Sequence, residues 1–307
     1  MLSALITGIG GFVGSHLSTH LLELGWQVDG FDQRGKNRKN HFNGDIKDRD
    51  AFQAALRACK PDILVHLAGL IKSQQPEDLY KANVLGTMTL FESLVETECR
   101  PIVIIASSSA VYGPGSGSRP ISEKSKPRPI THYAVSKLAQ EIVALRYLYS
   151  FQLPVIVLRL FNLIGPGQSP HLACSAFARQ IALAELNGEE HIVTGDLSAQ
   201  RDFIDVRDAV RAFGMVAEKG KAGDVYNVCS GRAVLIKHCL DEMLSMSQRQ
   251  LKIQVDEERV QKHDVSIQVG NAQKLNQITG WHPQISLRQS LSDLLADWRQ
   301  RIQSGLE

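Results

Sequence analysis

Short apolar runs alternate with longer amphipathic stretches along the first half of the chain. The runs "ALIT" (4–7), "QVDGFD" (27–32), "HFNGD" (41–45), "DILVHLA" (62–68), "PIVIIAS" (101–107) and "PVIVLRLF" (154–161) are short, several rich in Val and Ile, and read as strands. Between them, apolar residues recurring every three or four positions predict helices over 14–24, 48–58, 77–98 and 131–149. The longest runs are apolar at most positions, as in strands buried on both faces. The pattern therefore predicts an α/β chain with a doubly wound parallel sheet between two layers of helices.

Beyond residue 162 the pattern changes. "GPGQSP" interrupts the chain, a helix over 172–187 follows, and shorter mixed elements take over. "DVYNVCS" (224–230) reads as one more buried strand, placed to return to the first sheet. "LKIQVD" and a helix over 287–302 belong to a more polar C-terminal part. The division predicted is a first domain over 1–162, with a return around 200–233. A smaller mixed α/β region over 163–307 is interleaved with it.

Composition narrows the field by exclusion. The 307 residues are 43% hydrophobic and 21% charged with a net charge of +2. That balance gives no electrostatic case for nucleic acid or a membrane surface as partner. No apolar run approaches the about 18 residues that span a bilayer. The opening "MLSALITGIG" lacks a basic leader and reads as a strand and turn rather than a secretory signal. Five cysteines without a CxxC pair are expected to be reduced thiols, and ten scattered histidines predict no metal site. The expectation is a cytoplasmic globular protein.

The first strand runs into "TGIGGFVG" (7–14), which opens a helix. Gly8 suits the tight turn, Gly11 lets the backbone approach a pyrophosphate, and Gly14 brings the helix close to the sheet. With Phe12 and Val13, they form a candidate dinucleotide cradle. Asp32 ends the second strand, where a carboxylate accepts bonds from both adenosine ribose hydroxyls and repels a 2′-phosphate. It favours NAD(H), while Arg34 and Lys36 close behind keep NADP(H) open. Asp45 and Ile46 are placed at the adenine edge and Leu67, Ala68 and Gly69 where small residues leave room for a cofactor. Asn83, polar within an amphipathic helix, either meets the cofactor or bonds a nearby turn. His66 reads as a core histidine.

Candidate chemistry gathers in "ASSSAVYG" (106–113) and "YAVSK" (133–137). Tyr133 and Lys137, four apart on a helix, share one face. A phenol starts near a pKa of about 10. A neighbouring ammonium favours the phenolate and so fits it for acid–base work near neutral pH.

From "TGIGGFVG" through "HLAG", "ASSSAVYG" and "YAVSK" to "RDFIDVRD", the chain resembles the extended short-chain dehydrogenase/reductases that act on nucleotide sugars. The resemblance implies a Rossmann domain, a nicotinamide dinucleotide and a catalytic set of Ser108, Tyr133 and Lys137, with Tyr133 and Lys137 also touching the cofactor. It places Ser109 near the sugar and Asn162 and Arg201 on the substrate diphosphate, a guanidinium fork suiting two phosphate oxygens. Arg179 is a candidate second cation at the nucleotide end. The family's 4,6-dehydratases carry an acidic residue where this chain has Ala110, which carries no proton.

Within the family, "FNLIGPGQS", "RDFIDVRD", "DVYNVCSG" and "TGWHPQISLRQSL" are most similar to reductases of GDP-linked 4-keto-6-deoxymannose. The expected activity is hydride delivery from NAD(P)H to the C4 carbonyl of a nucleotide-linked 6-deoxy-4-keto sugar. A nucleotide-sugar 4-epimerase is the nearest rival, and a non-catalytic dinucleotide sensor the more distant one. The resemblance also implies a homodimer built on the helices over 77–98 and 131–149.

Overall fold

A computed structural model describes residues 1–33, 40–114, 119–256 and 265–305. Among these, seven strands form one parallel sheet: β1 (Ser3–Thr7), β2 (Gln27–Asp32), β3 (His41–Asn43), β4 (Ile63–His66), β5 (Ile102–Ser108), β6 (Val155–Leu160) and β10 (Val225–Val228), in the order β10-β6-β5-β4-β1-β2-β3. The order reverses between β1 and β4, the crevice where open α/β sheets take their ligands.

Helices cover both faces. Helix α1 (Phe12–Glu23) and helix α7 (Val206–Lys219) pack on one side with Leu17, Leu21, Val210 and Phe213 against Ile6, Val65 and Ile156. On the other side lie α2 (Arg49–Cys59), α4 (Gly86–Glu96) and α5 (His132–Phe151), through Phe52, Leu90, Phe91, Leu94 and Tyr147 against Leu5, Leu64, Val103 and Val157. Strands covered on both sides must be apolar at nearly every position, which is the pattern the runs show.

The expected third strand is shorter than its apolar run. It ends at Asn43, because Asp45 turns the chain into α2 by accepting the Lys47 amide at 2.9 Å, while its carbonyl accepts that of Asp48. The helix expected over 77–98 is three joined pieces: α3 (Pro76–Tyr80), a π-helical turn Lys81–Leu85, and α4.

The C-terminal region builds a smaller sheet. Strand β9 (Gln200–Asp205) pairs with β7 (Asn162–Ile164), β11 (Ala233–Leu235) and β13 (Ile267–Gln268), while β8 (His191–Thr194) pairs with β12 (Lys252–Val255). Behind them α6 (Ala173–Asn187), α8 (Ile236–Ser245) and α10 (Leu287–Gln303) share a core around Phe177, Leu240, Leu294 and Trp298. Strand β10 carries the chain back to the large sheet, so β7, β9 and β13 stand beside the C-terminal ends of β5 and β6.

Candidate active site

The glycine-rich turn is built so that side chains are excluded. Gly8 has φ +74°, and a Cβ there would lie 2.9 Å from the amide nitrogen of Ala68. A Cβ on Gly14 would lie 2.7 Å from Ile9 Cα, so helix and turn touch backbone to backbone. Gly11 precedes α1 with no side chain capping the first-turn amides. A helix start with uncapped N–H groups beside a close-packed glycine turn fits the pyrophosphate of a dinucleotide. Phe12 and Val13 form the first turn of α1 and pack partly on the core. Asp32 reaches the same turn, its Oδ2 accepting the Gly10 amide at 3.0 Å. Arg34 and Lys36 lie outside the described residues.

Around the rest of the predicted cofactor edge the placements vary. Leu67, Ala68 and Gly69 follow β4 directly, with Ala68 lying against Gly8. Asp45 bonds its own turn and Lys47. Ile46 is 7% exposed and points into the core against Gly86. Asn83 is fully buried, and the bond to a turn is the alternative the structure shows. Its Oδ1 accepts the Leu70 amide at 2.8 Å, and its Nδ2 donates to Leu70 O and Ser136 Oγ, both at 2.9 Å. Asn83 fastens the segment after β4 to α5 and presents no exposed surface to a ligand.

The three serines at the end of β5 face three ways. Ser107 is buried and donates to Glu141 on α5. Ser109, expected near the sugar, is 5% exposed and donates to Gln268 Oε1 at 3.1 Å, which ties the turn after β5 to β13 instead. Its hydroxyl is turned away because the 3-10 turn Ser109–Tyr112 rotates it under β13. Only Ser108 remains half-exposed, its Oγ accepting the Ala110 amide at 3.2 Å and facing the Tyr133 phenol. Ala110, half-exposed in the same turn, brings no charge.

Tyr133 and Lys137 stand on the first turns of α5, whose start is capped by Thr131 accepting the Ala134 amide. Burial pushes the Tyr133 phenol up, and the Ser108 hydroxyl opposes that rise. Lys137 is 8% exposed, and burial lowers its ammonium to about 8 while Glu141 works against the loss of charge. Glu141 is itself held by a buried bidentate ion pair with Arg159 of β6, at 2.9 and 2.6 Å. The Arg159 guanidinium lies 4.7 Å above the Tyr112 ring, and the Tyr112 hydroxyl donates to Asn227 Oδ1 at 2.7 Å.

None of Gln140, Glu141 or Arg159 was among the sequence candidates. A signal existed: an arginine in the middle of the apolar run "PVIVLRLF" must find a buried anion. Glu141 sits four residues beyond Lys137 and supplies it.

On the substrate side, Asn162 lies opposite Phe203 in the β7–β9 pairing, and its Nδ2 donates to the carbonyl of Asp202 at 3.1 Å. Arg201 is half-buried on β9, with Nη1 donating to Gln200 O at 2.9 Å and to Val265 O. Arg179 is half-buried on α6. Asp202, between Arg201 and Phe203, is fully buried. Its carboxylate accepts the amides of Ser230, Gly231 and Gly270 and the Ser230 hydroxyl at 2.6–3.0 Å. It pins β9 to the ends of β10 and β13, and burial raises its carboxyl. Among the described residues, no cluster of three or more histidine, cysteine or acidic side chains gathers as a metal would require, and no helix is long and apolar enough to cross a membrane.

A glycine-lined dinucleotide cradle at the switch point, opposite a phenol, a hydroxyl and an ammonium, defines a nicotinamide-dependent oxidoreductase. Residues 4–229 match the NAD dependent epimerase/dehydratase family, and the chain belongs to it. It is 32% identical over 97% of both chains to GDP-6-deoxy-D-mannose reductase of Pseudomonas aeruginosa. It is 28% identical over 98% of both to UDP-glucose 4-epimerase of Rhizobium meliloti. In structure it resembles RMD from Pseudomonas aeruginosa complexed with NADPH, with a TM-score of 0.89 at 31% identity over 98% of this chain and 100% of that one. It also resembles MoeE5 in complex with UDP-glucuronic acid and NAD, with a TM-score of 0.86 at 29% identity over 98% and 99%. The protein is an NAD(P)-dependent nucleotide-sugar oxidoreductase of the reductase or epimerase type.

Proposed function

We propose that the protein is a nucleotide-sugar 4-ketoreductase that converts GDP-4-dehydro-6-deoxy-D-mannose to GDP-D-rhamnose. The observation that carries this reading is the grouping at the end of β5. Ser108 faces Tyr133, Lys137 lies one turn further along α5, and Ala110 stands where a dehydratase would need a carboxyl group. The similarity to a GDP-6-deoxy-D-mannose reductase along the whole chain supports the substrate. Residues 1–162, with the return around 200–233, serve as the cofactor-binding domain and 163–307 as the substrate-binding region.

The bound nicotinamide supplies the hydride. The Tyr133 phenol gives its proton to the oxygen forming at C4, and Ser108 donates a hydrogen bond to that oxygen. Lys137 keeps a positive charge beside the phenol, which favours proton loss from it, and bonds the cofactor ribose. Asp32 takes the adenosine ribose hydroxyls, favouring NAD(H), although the RMD relative holds NADPH. Asn162 and Arg201 hold the diphosphate, with Arg179 at the nucleotide end. The outer faces of α4 and α5 expose Met88 at 40%, Ile142 at 63% and Tyr149 at 77%, and a homodimer would cover them.

The rival is a 4-epimerase, favoured by the likeness to UDP-glucose 4-epimerase and by an identical chemical requirement for phenol, hydroxyl and ammonium. The purified protein's cofactor state separates the two. A reductase consumes added NADH or NADPH when offered GDP-, dTDP-, UDP- or CDP-linked 4-keto sugars, with GDP expected to be preferred. An epimerase retains its NAD and interconverts sugars with none added, and that outcome would replace the reductase reading.

A further inference from the structure

Lys137 ends a line of fully buried hydrogen bonds that starts on β1, just before the glycine-rich turn, and the protons along it can be placed one by one. Thr87 Oγ1 lies 2.7 Å from the carbonyl oxygen of Asn83, which only accepts, so the Thr87 proton points there. The same Oγ1 lies 2.9 Å from Gln140 Nε2 and 2.9 Å from His66 Nε2, and having used its proton it must accept from both. His66 therefore carries a proton on Nε2. Burial and the Lys137 charge hold the imidazole down at about 3, so it is neutral. Its bare Nδ1 accepts the Thr7 hydroxyl at 2.8 Å, and Thr7 Oγ1 in turn faces the Ala68 amide at 3.3 Å.

The Gln140 amide has one orientation under these constraints. Its NH2 group faces Thr87 and its oxygen faces Lys137 Nζ at 2.5 Å. Thr7, His66, Thr87 and Gln140 are each 0% exposed, so no water competes for these groups. The position needs an acceptor at one end and a donor at the other. Glutamate would set carboxylate oxygens against the lone pairs of Thr87, and an apolar residue would leave Lys137 without an acceptor.

We infer that Gln140, oriented by Thr87 and His66, is a positioning residue that holds the Lys137 ammonium in place beside Tyr133. The line runs from Thr7, at the edge of the cofactor turn, to Lys137, so the two halves of the site are set against each other by buried side chains as well as by the sheet. The inference rests on the reading of Tyr133 and Lys137 as the chemical pair.

The test has one arm without substrate and one with it. In the 15N spectrum of the intact protein, His66 is expected as the neutral Nε2–H tautomer at pH 7, and an Nδ1–H tautomer would overturn the line of bonds whatever the activity. Gln140→Met keeps the volume and removes both bonds. It is expected to lower kcat by about 10- to 100-fold with the sugar KM little changed, since a displaced ammonium costs orientation rather than binding.

Thr87→Val should lower kcat in the same direction and Thr87→Ser should restore it, a rescue that a merely structural role for the threonine methyl would not give. This pair stands in if Gln140→Met does not fold. Wild-type kcat in folded Gln140→Met, or Thr87→Ser no better than Thr87→Val, would overturn the inference. A wild-type protein that turns over no nucleotide sugar would instead sink the proposed function, and the tautomer would still be read independently.

Discussion

The two edges of the cleft are made in different ways. On the cofactor side, the glycine-rich turn, Asp32 and Leu67, Ala68 and Gly69 all lie at or just past the ends of strands of one continuous parallel sheet. On the substrate side, Asn162, Arg201 and Gln268 come from β7, β9 and β13, strands of three, six and two residues far apart in sequence. Strands this short lean on what they pack against. One buried carboxylate, Asp202, gathers four donors from β10, β13 and their loops to keep it in register. The first edge is rigid because of its strands, whereas the second depends on a side chain. Damage should therefore separate along the same line, chemistry failing on one side and binding on the other.

The sharpest break is at Tyr133. Tyr133→Phe removes the proton donor and should lower kcat by about 10²- to 10⁴-fold, with nucleotide-sugar affinity retained in direct binding measurements. Next comes Asp202→Ala, which takes the acceptor from the Ser230, Gly231 and Gly270 amides, the last of them buried. It should lower stability by about 2–5 kcal/mol in chemical unfolding and raise the sugar KM more than it lowers kcat. An equal loss of kcat without loss of stability would show that the substrate edge does not hang on this carboxylate.

Arg201→Lys is milder. It keeps the charge and loses the fork, and should raise the sugar KM by about 10-fold with the cofactor KM unmoved.

A further effect concerns stability on the cofactor side. His66 holds out a proton down to about 3 in the folded protein and accepts it near 6.5 when unfolded. The unfolded chain thus binds the extra proton between those values. Stability should therefore fall as pH drops from about 6.5 towards 3. Urea midpoints for wild type and His66→Gln would read it, the variant losing that part of the slope.

The same contrast explains what was legible in the sequence. "PIVII" and "TGIGGFVG" could be read because their information is local: a strand buried on both faces is apolar at nearly every position, and a tight turn at φ +74° needs glycine. The smaller sheet was invisible because two- and three-residue strands have no periodicity, and "RDFIDVRD" is half strand and half helix.

Ser109, and Asn83 with its two open readings, show a related point. Each looks available in one dimension, and each is engaged by a residue that only the fold brings near, Gln268 at 3.1 Å and Leu70 at 2.8 Å. Ser108 was singled out from its two neighbours by the family resemblance, through its spacing from Tyr112. What spacing could not show is that Ser107 belongs to the Glu141–Arg159 pair behind the site. Arg159 itself was readable in principle, as a charge within an apolar strand.

The central claim is that a hydride passes to C4 of a keto sugar and a proton to its oxygen, and that both stay there. Mixing the protein with GDP-4-dehydro-6-deoxy-D-mannose and a limiting amount of NADH or NADPH tests it directly. Cofactor oxidation is followed by absorbance and the sugar by NMR. The account predicts one GDP-D-rhamnose formed for each reduced cofactor oxidised, about 10²- to 10⁴-fold more slowly in Tyr133→Phe. Sugar converted without net oxidation of the cofactor, or no conversion of this ketone while another nucleotide sugar is turned over, would contradict it.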